Sequence, residues 1–179
     1  TFHPVTLEQG TSANQMVELL SALEKLEETH LIFTMPNSDT DGHVLFQMIG
    51  EFVSKYPHAK AFTSLGQLRY LSCIQYVDGV VGNSSSGLAE VPSFAKGTIN
   101  IGDRQRGRLK AESIIDCSPE QESIAAAFRK LSYQDFQFTL AAVQNPYGKG
   151  GASELVVETL TKIQLEDVLK KYFFDLNGI

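Results

Sequence analysis

Two hydrophobic periods take turns along this chain. Met16, Leu19, Leu20, Leu23 and Leu26 recur at helical spacing and predict a helix over residues 11–28, with Thr11 or Ser12 as its cap. A short apolar run at 30–35 then reads as a buried strand, closed by Pro36-Asn37-Ser38-Asp39. Val44, Leu45, Met48, Ile49, Phe52 and Val53 return to helical spacing until Tyr56-Pro57. The alternation continues with a strand at 59–64, a compact helix at 65–74, a strand at 78–81 and a short helix at 86–91. Further strands are predicted at 97–102 and 113–117. Ser118-Pro119-Glu120 opens a helix with proline in its first turn that runs to about Leu131, and two more helices, 153–164 and 165–174, end the chain. Residues 1–7 are β-branched and aromatic but interrupted by Pro4, which suits a strand end or an edge.

Strands alternating with helices imply right-handed βαβ units, hence an α/β fold with a doubly wound, Rossmann-like parallel sheet covered on both faces. Ligands in such sheets sit outside the carboxyl ends of the strands. Those ends carry His3, Asn37, Leu65-Gly66, Asn83 to Ser86, and Gly102-Asp103-Arg104, all of which are expected to open on one crevice.

The richest of these is the stretch from Val80 to Pro92. An apolar run ending in Gly82 feeds Asn83-Ser84-Ser85-Ser86-Gly87, and a short helical pattern follows. Small hydroxyl residues there leave the first helical N–H groups open, which with the helix dipole makes a place for an anion. A plain Ser-capped helix end is the alternative. Glu90 follows closely enough to lie near whatever occupies that end. His3, stiffened by Pro4, can hydrogen-bond a phosphate or exchange a proton, or serve only as a structural histidine. His30, His43 and His58 stand at element boundaries without metal-like pairing and read as surface residues. Arg104, Arg106 and Arg108 place three guanidinium groups in a short loop whose forks suit phosphate, although one or two of them could simply face solvent beside Asp103. Asp39 and Asp41 lack a third ligand at suitable spacing and fit a capping role better than a cation site. The glycines of Asn145-Pro146-Tyr147-Gly148-Lys149-Gly150-Gly151 could admit a phosphate beside Lys149 or merely reverse the chain; no P-loop ending is present. Phe136, Phe138 and Tyr172-Phe173-Phe174 read as packing residues.

Composition narrows the class. A chain of 179 residues, 42% hydrophobic and 20% charged, fits one domain with at most a small appendage. A net charge of −6 argues against a nucleic-acid surface, no apolar run is long enough for a bilayer, and two cysteines fit buried thiols in a reducing, cytoplasmic setting better than a disulfide framework. The start at Thr1-Phe2-His3-Pro4, with neither Met nor polar lead-in, suggests a piece of a longer protein.

His3-Pro4-Val5-Thr6, Pro36-Asn37, the Gly82 to Gly87 run with Glu90-Val91, Gly102 to Arg108 and Asn145-Pro146-Tyr147-Gly148 occur in order. Together they make nearly the whole chain resemble the C-terminal half of the UDP-N-acetylglucosamine 2-epimerase family, which shares a two-domain glycosyltransferase-B-type architecture. The Arg104-Gln105-Arg106-Gly107-Arg108 form resembles the hydrolysing branch, whose members release UDP and N-acetylmannosamine for sialic acid synthesis; a close relative acts on a bacillosamine-type sugar. The resemblance implies that residues 1–179 form a UDP-binding domain whose ligand is UDP or UDP-N-acetylglucosamine. No metal or other cofactor is implied, and nucleic acid and membrane are not partners. Ser84 and Ser85 would hold the diphosphate, Glu90 the ribose hydroxyls, and the Leu65 backbone the uracil edge. Asn37 and Arg104 would line the nucleotide site, and His3 would be the catalytic group at the domain junction. The acidic groups acting at C2 would belong to an N-terminal domain of the same protein, and the complete protein would be a homo-oligomer. Lys149 departs from the Asp usual after Pro-Tyr-Gly. A non-hydrolysing epimerase, the nucleotide-sugar domain of a retaining glycosyltransferase and a non-catalytic UDP-binding module are the competing readings.

Overall fold

The short apolar runs form five parallel strands in the computed structural model, which describes residues 1–5, 10–36 and 42–164. β1 (Leu31–Thr34) pairs with β2 (Ala59–Phe62), while β3 (Gly79–Gly82), β4 (Gly97–Ile101) and β5 (Ile114–Cys117) pair in that order. Parallel neighbours need crossovers, and helices supply them. After α1 (Ser12–Glu24), α2 (Gly42–Lys55) joins β1 to β2 and α3 (Gly66–Ile74) leads into β3. α4 (Ser86–Ala89), with a 3-10 turn at Val91–Phe94, connects β3 to β4; α5 (Gln121–Ser132), α6 (Gln134–Ala142) and α7 (Ala152–Lys162) follow β5.

The α/β parallel architecture is the expected one, but the strands form a two-stranded and a three-stranded sheet rather than one continuous ladder. Residues 1–5 reach both. Thr1 N donates to Val81 O at 3.0 Å and Asn83 N to Thr1 O at 3.3 Å, while the Thr1 and Thr34 hydroxyls share a hydrogen bond. Pro4 has no N–H to extend this pairing, so the segment remains a short linker between strand ends.

β4 shows why the sheet is covered on both faces. All five of its residues are buried. A Cβ on Gly97 would fall 2.4 Å from Leu131 and 3.0 Å from Phe136, so that face lies against α5 and α6. Thr98, pointing the opposite way, meets Gly87 of α4. Met16, Leu19 and Leu23 of α1 join Leu45, Ile49 and Phe52 of α2 and Ile99, Ile101 and Ile124 in one core. The start of α5 is capped from α1: Gln121 N donates to Glu18 Oε2 at 2.7 Å and Gln121 Nε2 to Ser21 O at 3.1 Å.

Several boundaries differ from expectation. α1 stops at Glu24, and Thr11 takes the N-cap position without a side-chain cap bond; its hydroxyl accepts from Gln15 Nε2 at 3.4 Å instead. Pro119 lies before α5 rather than in its first turn, because Glu120 is the N-cap. α4 ends after one turn, since Pro92 cannot continue an α-helical ladder. α6 was not foreseen: only Phe136 and Leu140 are buried on it, while Phe138 faces out, which blurs the helical period and corrects Phe138 as a packing residue. Cys73 and Cys117 are half-buried rather than buried, and both are free. Residues 165–174, including Tyr172-Phe173-Phe174, lie outside the described residues. The chain divides into Thr1–Tyr147 and Gly148–Ile179, and α7 belongs to the second unit.

Candidate functional site

The carboxyl end of β3 shapes the site. Gly82 has φ +139, and a Cβ there would lie 1.8 Å from Thr1 O, so only glycine lets the two backbones meet. Asn83 follows, 1% exposed, and its amide exchanges two hydrogen bonds with the His3 backbone: His3 N donates to Oδ1 at 2.7 Å and Nδ2 to His3 O at 2.9 Å. Its carbonyl accepts from Arg104 Nη1 at 3.1 Å and Gln105 Nε2 at 2.7 Å.

The chain then turns into α4. Ser86 N donates to Ser84 Oγ at 3.4 Å, Gly87 N to Ser84 O at 3.2 Å, and Leu88 N and Ala89 N both to Ser85 O at 3.0 Å. The amides of Ser84 and Ser85 have no partner among the described residues. Gly87 lets this helix close on β4, since a Cβ would lie 2.7 Å from Thr98 Cγ2, and Thr98 Oγ1 donates to Gly87 O at 2.9 Å. Open donors on a fixed turn suit an oxyanion.

Beside the turn lies a cavity of about 330 Å³ lined by Thr34, Met35, Ser64, Leu65, Gly66, Tyr70 and Glu90. That volume is at the lower end for a small-molecule site. Leu65 is the N-cap of α3, and Gly66 after it has φ +65. The Glu90 carboxylate, an acceptor-only group, has neither donor nor cation partner among the described residues. Tyr70 ties cavity to turn, because its hydroxyl and Ser86 Oγ share a 2.7 Å hydrogen bond. Burial raises the Tyr70 phenol above its usual pKa of 10.0 and the Glu90 charge adds to this, while the Ser86 bond works in the opposite direction.

The residues singled out from sequence fall into two groups. His3, Ser84, Ser85 and Arg104 gather around Asn83; Leu65 and Glu90 share the cavity; Tyr70 and Ser86 join the groups. Asn37, with Asp39 and Asp41, lies outside the described residues. Of the three loop arginines only Arg104 is tied to the turn. Arg106 makes an exposed 3.6 Å ion pair with Asp103, and Arg108 is exposed. Asn145 and Tyr147 form a clasp: Asn145 Nδ2 donates to Ala89 O at 2.8 Å and Ser93 Oγ at 2.7 Å, and Tyr147 O–H donates to Leu109 O at 3.0 Å. Lys149 lies in the second unit.

Sequence reasoning passed over Asn83 as a side chain, along with Gln105, Tyr70 and Asn145. Gln105 offered the clearest signal, as an uncharged amide inside an arginine-rich loop that proves 1% exposed. Among the described residues no three His, Cys, Asp or Glu side chains converge as metal ligands, and no helix is long and apolar enough to cross a membrane.

A protein of Campylobacter jejuni named GDP/UDP-N,N'-diacetylbacillosamine 2-epimerase (hydrolyzing) is 38% identical over 178 residues, 98% of this chain and 46% of that protein. Polysialic acid biosynthesis protein P7 of Escherichia coli is 35% identical over 98% of this chain and 45% of its own length. The chain thus spans about half the length of these relatives. Among solved structures, a UDP co-structure of S. aureus MnaA superposes with a TM-score of 0.70 at 15% identity, covering 89% of this chain and 43% of that one. The UDP-GlcNAc 2-epimerase of Neisseria meningitidis, bound to UDP-GlcNAc, gives 0.63 at 20% identity over 84% and 41%. These two likenesses show a shared fold. Because the model of the family described as UDP-N-acetylglucosamine 2-epimerase matches residues 1–161, this chain belongs to that family.

Proposed function

We propose that this chain is the nucleotide-binding part of a hydrolysing UDP-sugar 2-epimerase that converts UDP-N-acetylglucosamine to UDP and N-acetylmannosamine. The observation that carries the reading is the cavity of Leu65, Tyr70 and Glu90 beside the Ser84 to Ser86 turn. The Ser84 and Ser85 amides, without a partner among the described residues, and the two hydroxyls bind the diphosphate, with Arg104 and Asn37 lining the nucleotide. Glu90 accepts from the ribose hydroxyls, and the Leu65 backbone meets the uracil edge. His3 is the catalytic group beside the phosphates.

In the reaction, the C1–O bond to the diphosphate breaks as the C2 proton is removed, which yields UDP and a glycal. Water then adds its oxygen at C1 while a proton enters C2 from the opposite face. Donors at the turn stabilise charge on the departing UDP. The acids acting at C2 belong to an N-terminal domain of the same protein, and the complete protein works as a cytoplasmic homo-oligomer in sialic acid synthesis. The hydrolysing outcome is supported by the name of the Campylobacter jejuni relative, 38% identical to this chain. That name also favours a second reading, in which the sugar is a diacetylbacillosamine rather than N-acetylglucosamine.

Calorimetric titration of UDP into this chain, with CDP and ADP as controls, tests the site. Binding selective for UDP is expected, weakened about tenfold or more, equivalent to roughly 1.4 kcal/mol, by Ser84→Ala with Arg104→Ala and by Glu90→Gln. A folded chain that treats the three nucleotides alike, or ignores all of them, overturns the assignment.

A further inference from the structure

Asn83 does more than bend the chain. Along residues 1–3 the backbone first pairs with β3 in the ordinary way, Thr1 N to Val81 O and Asn83 N to Thr1 O. At Gly82 the β3 backbone swings away with φ +139, and the ladder would end there. The Asn83 side chain takes it over. Its amide carries an acceptor and two donors, and it uses one of each on the His3 N–H and C=O, as another strand residue would. The same residue's carbonyl is gripped by Arg104 and by Gln105, and Asn83 is followed directly by Ser84 and Ser85. His3 and the turn are therefore joined through one buried residue with little freedom to yield.

We propose that Asn83 is a positioning residue that couples the Ser84-Ser85 turn to His3, so that occupancy of the turn by a nucleoside diphosphate is transmitted to the histidine. Gln105 is its support, because its buried amide holds the Asn83 carbonyl at 2.7 Å. This rests on the reading of the turn as the diphosphate site. It adds a residue whose effect on His3 passes through the backbone rather than through the ligand.

The test is NMR of the histidine imidazole signals of this chain during titration with UDP. His30 and His58 serve as internal references, since they stand at the amino-terminal ends of β1 and β2, whereas the turn follows the carboxyl end of β3. UDP is expected to move the His3 signals and shift their titration midpoint while leaving those two in place. Asn83→Asp keeps the side-chain size and the acceptor to His3 N but turns the donor facing His3 O into a second acceptor. In that variant the UDP-induced change at His3 should collapse, while UDP affinity falls by less than about tenfold. Gln105→Met should reduce the response in the same direction. UDP that binds wild type without disturbing His3 overturns the coupling and needs no variant. A folded Asn83→Asp protein whose His3 responds as in wild type overturns it as well. No UDP binding at all removes the nucleotide reading and the coupling with it, and calorimetry distinguishes that outcome from a silent His3.

Discussion

The two sides of the candidate site are built differently. Around Asn83 the backbone is held from His3, Arg104 and Gln105, and Gly82 touches Thr1 with no space for a methyl group. Around Leu65 the walls are sparser: a methyl group added to Gly66 would meet nothing within 4 Å, and Glu90 stands in the cavity without a cation among the described residues. On the proposed reading, the fixed donors would meet the diphosphate, whose charge is best met by groups that need not reorganise. The open wall would then take a base and ribose that complete the packing when they arrive. The contrast also says where substitutions should be most damaging.

Glycine replacement separates the sides most sharply. In Gly82→Ala the new methyl would lie 1.8 Å from a backbone oxygen, and φ +139 is strained for any L side chain. A loss above about 3 kcal/mol is expected, seen as unfolding or a large fall in Tm, because the strand end and residues 1–3 must part. In Gly66→Ala only the left-handed φ of +65 is penalised, so about 1–2 kcal/mol should be lost. Equal losses in calorimetric or urea unfolding would show that the Asn83 side is not the more constrained one.

A smaller contrast lies between the sheets. Ile99 in β4 is 0% exposed, whereas Ile32 in β1 is 48% exposed. Ile99→Ala should destabilise by about 2–5 kcal/mol through lost burial and a residual cavity. Ile32→Ala should cost less than about 1 kcal/mol. Urea midpoints of the two variants compare these directly, and a heavy loss at Ile32 would mean that its exposed face is covered in the folded protein.

Much of this was legible in the chain. Helical spacing from Met16 to Leu23 and the apolar runs at 78–81 and 97–102 led to the right elements, because α1 buries one regular face and β4 is buried along its whole length. α6 escaped because two inward residues are too few to outweigh an exposed Phe138. Leu65 could be placed near the crevice from the strand-end rule alone, and Glu90 from its spacing after the Ser84 to Ser86 turn. The Asn83 clamp could not. Local sequence marks asparagine as a turn residue, while its partners, His3 and Arg104-Gln105, are brought to it only by strand pairing across the fold. Arg106 and Arg108 show the reverse case: charge density pointed to them, but their loop turns them outward.

The smallest expected effect is a pH dependence carried by one thiol at the end of β5 and one phenol in the cavity. Burial, and then the charges of Asp116 and Glu120, push the Cys117 thiol from 9.0 up to about 11. Burial, then Glu90, raises the Tyr70 phenol above 10.0. For both groups the folded state retains its proton at a pH where the unfolded chain has released it. Unfolding is then accompanied by proton release, so stability is fully present below pH 9 and falls as pH rises towards 11. Cys117→Ala should flatten that decline beginning at pH 9, and Tyr70→Phe should flatten only the part above pH 10. Urea unfolding of wild type and both variants at intervals from pH 8 to 11 measures it. If UDP binds beside Glu90 as proposed, it should leave the Cys117 part unchanged, since that thiol does not line the cavity, and should alter the Tyr70 part by burying the phenol further. An alkaline limb identical in all three proteins would mean that neither group is shielded from solvent.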